Sequence, residues 1–112
     1  MSRGEHAEAL AAEFLEGRGL KILERNYRCK FGEIDLIARS GTTVVFIEVR
    51  ARSSERFGGA AESITAAKRK RLIATARHYL SRQRAQYACR FDVVLLNGEP
   101  PSIDWITDAF GE

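Results

Sequence analysis

The chain has 112 residues, of which 45% are hydrophobic and 29% are charged, a balance typical of a globular protein rather than a disordered one. Its net charge of +3 permits a nucleic-acid partner without requiring one. No apolar run approaches the roughly 18–20 residues of a membrane span, and the N-terminus lacks the apolar core of a secretory signal. Two cysteines, Cys29 and Cys89, make no disulfide framework. We therefore expect one cytoplasmic domain, spanning residues 1–112, with no membrane partner.

The first half of the chain is predicted to contain one helix and three strands. Apolar residues recur at helical spacing in Gly4–Glu16, and Leu20–Tyr27 is predicted as a first strand. Glu33–Arg39 and Thr42–Arg50 are predicted as the second and third strands, separated by a Ser-Gly turn. The apolar run Val44–Ile47 indicates a central strand that is buried on both faces.

The second half is predicted to contain a loop, a long helix and one or two strands. Ser53–Gly59 is polar and contains glycine, which favours a loop, and Ile64–Arg82 has an amphipathic helical pattern. Arg90–Leu96 is predicted as a strand, and Ile103–Ile106 as a short edge strand. This order predicts an α/β fold with a mixed sheet flanked by helices.

Charge is unevenly distributed along the chain. The segment Ser63–Phe91 contains no acid but eight Lys and Arg residues, whereas Asp92–Glu112 contains five acids and no Lys or Arg. A strongly basic middle segment suits a surface that meets phosphates. A solvated helix face would give the same pattern, because charge runs often serve only solubility.

Two carboxylates lie within apolar strands, where an unpaired acid is costly. Glu48 interrupts the third strand, and Asp35 lies between apolar residues of the second. In a hairpin that pairs Arg39 with Val44, Asp35 lies directly opposite Glu48, and if Arg39 pairs with Thr42 the two acids are diagonal. Their Cβ atoms would then be about 4.5–5.5 Å or about 7–8 Å apart, on the same face of the sheet in both registers.

Two acids at this range repel each other unless a cation lies between them. Carboxylates and water are the ligands that Mg²⁺ and Mn²⁺ prefer, so the pair predicts a divalent metal site. Arg50 falls on the same strand face and could contact a phosphate. The alternative is a structural ion-pair network in which the acids meet Arg50, Arg52 or a basic residue of the second helix.

The segment Gly32-Glu33-Ile34-Asp35-Leu36-Ile37-Ala38, followed by Val45-Phe46-Ile47-Glu48-Val49-Arg50-Ala51-Arg52, resembles the YraN family (UPF0102). That bacterial family is similar to Holliday-junction resolvases and to the wider PD-(D/E)xK nuclease superfamily. The resemblance extends over nearly the whole chain. Further positions that carry it are Arg3-Gly4, Glu8, Asn26, Arg28, Phe57-Gly58, Lys68, Arg71, Ala76, Tyr79-Leu80 and Arg90-Phe91-Asp92-Val93-Val94.

The resemblance implies a restriction-endonuclease-like core of order αβββαβ. It also implies that Asp35, Glu48 and Glu8 bind Mg²⁺ or Mn²⁺, with Asp35, Glu48 and Arg50 as the catalytic set. The superfamily motif usually ends in Lys, where this chain has Arg50. The residues expected to contact DNA are Arg50, Arg52, Lys68, Arg69 and Arg71.

Three functional hypotheses follow from these observations. The first is a metal-dependent DNA endonuclease, with branched DNA among its candidate substrates and a homodimer as one candidate assembly. The second is a nucleic-acid-binding protein of the same fold without nuclease activity, which Arg50 favours because arginine is a poor proton acceptor. The third is a protein-interaction domain in which Asp35 and Glu48 belong to a structural ion-pair network.

Overall fold

The computed structural model describes residues 3–52 and 64–111. These residues form two helices and five strands, in the order that the sequence predicts for the first six elements. Their bounds are α1 Arg3–Gly17, β1 Lys21–Cys29, β2 Gly32–Ser40, β3 Thr43–Arg52, α2 Ala66–Ser81, β4 Cys89–Asn97 and β5 Ser102–Phe110. The predicted loop Ser53–Gly59 lies outside the described residues.

The five described strands form one mixed sheet in the order β1-β2-β3-β4-β5. β3 and β4 are parallel, and the other neighbours are antiparallel. Parallel neighbours need a long crossover connection, and α2 lies in the segment that joins β3 to β4. The prediction of a mixed α/β fold is therefore confirmed. β3 is the central strand, and Val44–Ile47 is buried as predicted.

Each face of the sheet carries its own apolar cluster and one helix. On one face α1 contributes Ala7, Ala11, Ala12 and Leu15, which pack with Leu36, Ala38, Val45, Ile47, Val94 and Leu96. On the other face α2 contributes Leu72, Ala76 and Tyr79, which pack with Tyr27, Ile34, Ile37, Val44, Phe46, Ile64, Phe91, Val93 and Leu95. The sheet is thus covered by a helix on each side. Within the described residues, neither helix is long and apolar enough to cross a membrane.

Of the two registers possible for the β2–β3 hairpin, the structure has the one that aligns Asp35 with Glu48. Arg39 pairs with Val44, and pairing continues as far as Leu36 and Ile47. The next residues in this register are Asp35 and Glu48, so the candidate acids lie directly beyond the last paired residues.

β2 departs from the simple alternation of a regular strand at one position. Leu36 and Ala38 belong to the cluster under α1, as expected for neighbours on one face, but Ile34 belongs to the cluster under α2. The neighbouring strand is irregular at this level, because Asn26 of β1 has a φ of 53°. Asp35 thus lies at a break in the regular pleat.

Two element boundaries differ from the predictions for physical reasons. α2 begins at Ala66 rather than Ile64, because the Thr65 side chain caps it by accepting a 3.1 Å hydrogen bond from Lys68 N. β5 continues to Phe110, four residues beyond its predicted end. Its pairing with β4 contains a register shift between Phe91 and Val93, where Asp92 accepts a 2.9 Å hydrogen bond from Asp108 N. This side-chain bond tethers the distal part of β5 to β4.

Candidate functional site

The site is built where β2 and β3 cease to pair. Asp35 Oδ2 accepts a 2.8 Å hydrogen bond from Val49 N, so this carboxyl reaches across to the backbone of the neighbouring strand. Glu48, which precedes Val49 on β3, is only 5% exposed. The sequence prediction that Asp35 and Glu48 lie together is the arrangement seen in the structure.

The two carboxyls influence each other strongly. The pKa of Asp35 is raised from 3.8 to about 8, first by burial and then by the negative charge of Glu48. A hydrogen bond between the two side chains and the charge of Glu8 raise this pKa further, while the hydrogen bond from Val49 N lowers it. The raised pKa favours the protonated form of Asp35 at neutral pH in the metal-free protein.

A lysine from α2 forms an ion pair with Glu48. Lys68 Nζ lies 2.8 Å from Glu48 Oε2, whereas Arg50 Nε lies 3.7 Å from the same oxygen. The Thr65 cap fixes where α2 starts and thereby places Lys68 in its first turn. Lys68 is among the residues expected from the sequence to contact DNA. The sequence does not specify which basic side chain would pair with Glu48. No local pattern separates Lys68 from the three basic residues that follow it.

Glu8, the third predicted metal ligand, approaches from α1 on the opposite face of the sheet. It is half-buried, and its charge is the weakest of the influences that raise the pKa of Asp35. Across residues 3–52 and 64–111, no group of three or more His, Cys, Asp or Glu side chains is arranged to hold a metal ion. The structure therefore brings Asp35 and Glu48 together, and the charge of Glu8 raises the pKa of Asp35 more weakly than that of Glu48 does.

The structure gives different surroundings to the basic residues of α2 that are predicted to contact DNA. Arg69 Cζ lies 5.7 Å from the centre of the Phe110 ring, on the side of β5. Arg71 is exposed and packs its Cβ close to Gly32, at the start of β2. Arg52 is the last residue of β3. Lys68, Arg69 and Arg71 thus contact three different parts of the structure, namely Glu48, Phe110 and the start of β2.

Comparison with known proteins gives the chain a family. Residues 7–96 match the profile described as Uncharacterised protein family UPF0102. The chain belongs to the UPF0102 family. A UPF0102 protein of Nitrosomonas europaea is 59% identical over 112 residues, covering 99% of this chain and 95% of the relative. UPF0102 proteins of Methylobacillus flagellatus and Aeromonas hydrophila are 55% and 50% identical, covering 95% and 85% of those relatives.

The UPF0102 match encloses the whole candidate site. Glu8, Asp35, Glu48 and Lys68 all lie within residues 7–96, whereas β5 lies beyond them. The resemblance to UPF0102 that the motifs around Asp35 and Glu48 indicated is confirmed.

Proposed function

We propose that this UPF0102 protein is a metal-dependent endonuclease that hydrolyses phosphodiester bonds in DNA. The observation that carries the proposal is the meeting of Asp35 and Glu48 at the end of the β2–β3 pairing, with Lys68 Nζ 2.8 Å from Glu48. Burial and the neighbouring Glu48 charge make the ionised form of Asp35 unfavourable unless a cation is bound beside it. The combination of the two acids with a lysine is suited to binding a cation and a phosphate at the same place.

The donor set fits a hard divalent cation. Asp35 and Glu48 offer oxygen ligands from adjacent strands, and Mg²⁺ and Mn²⁺ are commonly bound by one or two carboxylates, water and substrate phosphate. Glu8 adds negative charge from α1, but within the described residues it does not complete a three-carboxylate group with Asp35 and Glu48. When bound, the metal would supply Lewis acidity to the scissile phosphate and to the attacking water.

The residues around the acids have separable roles in this proposal. Val49 N fixes the orientation of Asp35 by donating to its Oδ2. Lys68 orients Glu48 and places an ammonium group beside the expected phosphate. Arg50, whose side chain is 33% exposed, is positioned to contact a phosphate oxygen from the solvent side.

The order of the elements supports a restriction-endonuclease-like arrangement. The described chain runs α1, three strands, α2 and β4, and then adds β5 at the edge. The acids lie on the second and third strands, and Lys68 comes from the crossover helix. DNA backbone contacts from Arg71 would hold the substrate without reading its sequence.

Cleavage of labelled DNA tests the proposal. Single-stranded, duplex, flap and four-way-junction DNA are incubated with Mg²⁺ or Mn²⁺ and the wild-type, Asp35→Asn or Glu48→Gln protein. Glu24→Gln, which removes an exposed carboxylate from β1, is the matched control. We expect cleavage that requires metal, disappears in both site variants and persists in the control. Absence of cleavage by the wild-type protein on every substrate would refute the proposal.

A second candidate function is DNA binding without hydrolysis. The ion pair between Lys68 and Glu48 favours it, because a carboxylate already neutralised by lysine is a weaker metal ligand. Salt-dependent DNA binding that is unchanged by Mg²⁺, together with no cleavage, would identify this function.

A further inference from the structure

The tip of the β1–β2 hairpin presents an aromatic ring to solvent. Cys29 pairs with Gly32, so the turn consists of Lys30 and Phe31. Phe31 is 42% exposed, whereas the phenylalanines of the core, Phe46 and Phe91, are buried. One exposed apolar side chain is ordinary on a protein surface, so the surroundings of this ring decide what it can do.

The ring is held in place by the structure beneath it. The Arg28 Nε to Glu33 Oε2 bridge of 2.6 Å closes the hairpin, and Phe31 N donates a 3.4 Å hydrogen bond to Cys29 Sγ. The His78 ring of α2 packs edge-on against Phe31, with ring centres 6.3 Å apart. A ring positioned in advance loses little conformational freedom when a ligand stacks on it.

Gly32 explains how the hairpin approaches α2 so closely. Its φ is 151°, and a Cβ at this position would lie 3.2 Å from Thr75 Oγ1 and 3.6 Å from Arg71 Cβ. The tip is therefore seated on α2 rather than projecting freely from the sheet.

The charge around Phe31 is positive. Lys30 Nζ lies 5.2 Å from the centre of the ring, whereas the charge of the exposed Arg28 is paired with Glu33. Arg71 is exposed on the adjoining turn of α2. Proteins that bind single-stranded nucleic acid combine these two elements, because cations hold the backbone while aromatic rings stack on bases. A protein partner would instead require a larger apolar patch around the ring.

α2 connects this ring to the acidic pair. Lys68, Arg71, Thr75 and His78 follow one another at three- and four-residue spacing, so they share one face of the helix. Lys68 forms the ion pair with Glu48, and His78 packs against Phe31. Ten residues of α-helix span about 15 Å, which is about four nucleotides at the 3.4 Å rise of one DNA strand.

We propose that Phe31 stacks on an unpaired nucleobase within about four nucleotides of the phosphate at the acidic pair. The substrate is then DNA that has single-stranded character beside the cleavage point, rather than a continuous duplex. This inference rests on the proposed function, because it assigns the substrate class of the same site.

Binding measurements test the inference without cleavage. Fluorescence anisotropy in EDTA gives dissociation constants for a labelled single strand, a flap and a duplex of matched sequence. The proteins are the wild type, Phe31→Ala, Phe31→Trp and Leu23→Ala, the last of which removes another exposed apolar side chain from the same hairpin.

We expect Phe31→Ala to weaken binding to the single strand and the flap by about tenfold, within the range measured for loss of one base–aromatic stack. Duplex binding should change less than twofold, Phe31→Trp should restore binding, and Leu23→Ala should have no effect. Unchanged single-strand binding by Phe31→Ala, or an equal loss on duplex, would overturn the inference. Failure of the wild type to cleave any DNA would instead refute the proposed nuclease while leaving this binding difference measurable.

Discussion

The protonated state of Asp35 leads to a prediction that Asp35→Asn stabilises the metal-free protein. Asparagine has the shape of the protonated carboxyl. Its Oδ1 can accept the hydrogen bond from Val49 N, and its amide can donate to the Glu48 carboxylate. The variant therefore keeps the contacts of the neutral acid and removes its ionisation.

The sign and size of the effect follow from the two pKa values of Asp35. Its folded pKa of about 8 exceeds its ordinary value of 3.8, so the folded protein holds a proton that the unfolded chain releases over this interval. The stabilisation that this proton contributes is therefore fully present below pH 3.8 and is lost as the pH rises towards about 8. One proton corresponds to about 1.4 kcal/mol per pH unit, or about 3 kcal/mol between pH 5 and pH 7.

Urea denaturation in EDTA, followed by circular dichroism at several pH values, measures this difference. The difference in unfolding free energy between Asp35→Asn and the wild type should change by about 3 kcal/mol from pH 5 to pH 7. With an m-value of about 1–3 kcal/mol/M, this change moves the urea midpoints of the two proteins apart by at least about 1 M. Glu24→Gln controls for the general loss of one negative charge. A difference between Asp35→Asn and wild type that is flat from pH 5 to pH 8 would show that Asp35 is ionised in the folded protein. Destabilisation by Asp35→Asn would support the structural ion-pair network instead.

Three further predictions concern the metal, Lys68 and Asp92. Mg²⁺ at about 100 times its dissociation constant for the wild type should raise the unfolding free energy of the wild type by about 2.7 kcal/mol. The same concentration should stabilise Asp35→Asn by less. Calorimetry in the presence and absence of EDTA measures both effects. Lys68→Met should lower the single-turnover cleavage rate by about 100-fold. Lys70→Met changes an exposed lysine of the same helix and should leave the rate unchanged. Equal rates for Lys68→Met and the wild type would exclude Lys68 from the site. Asp92→Ala should destabilise the fold by about 3–5 kcal/mol in urea denaturation. The reason is that buried Asp92 accepts a hydrogen bond from Trp105 Nε1 and forms an ion pair with Arg90. A loss below about 1 kcal/mol would contradict this account.

The meeting of Asp35 and Glu48 could be predicted because it depends on short-range periodicity. Alternation along two adjacent strands constrains which side chains share a face, and the hairpin turn limits the register to a few choices. The observed choice depends on the turn itself, in which Ser40 pairs with Thr43 around a two-residue connection. Gly41 adopts a φ of 59° there, a conformation that the sequence permits but does not specify.

Asp92 shows what local patterns cannot predict. It lies within the apolar strand predicted for Arg90–Leu96, but no local pattern indicates which groups it contacts. Its partners Trp105 and the backbone of Asp108 lie 13 and 16 residues further along the chain. These contacts form only when β5 folds back beside β4, and the same contacts carry β5 past its predicted end at Ile106.

The position of Lys68 bears on the proposed likeness to PD-(D/E)xK nucleases. The motif of those nucleases has lysine where this chain has Arg50, and arginine cannot reproduce a compact ammonium group whose pKa shifts when it is buried. In the folded protein, Lys68 Nζ lies nearer to Glu48 Oε2 than Arg50 Nε does, by 2.8 Å against 3.7 Å. Under the proposed function, α2 thus supplies the lysine that β3 lacks, and Arg50 is left to contact phosphate. Arg50→Lys should consequently restore cleavage to a Lys68→Met protein, which a purely structural role for Lys68 would not allow.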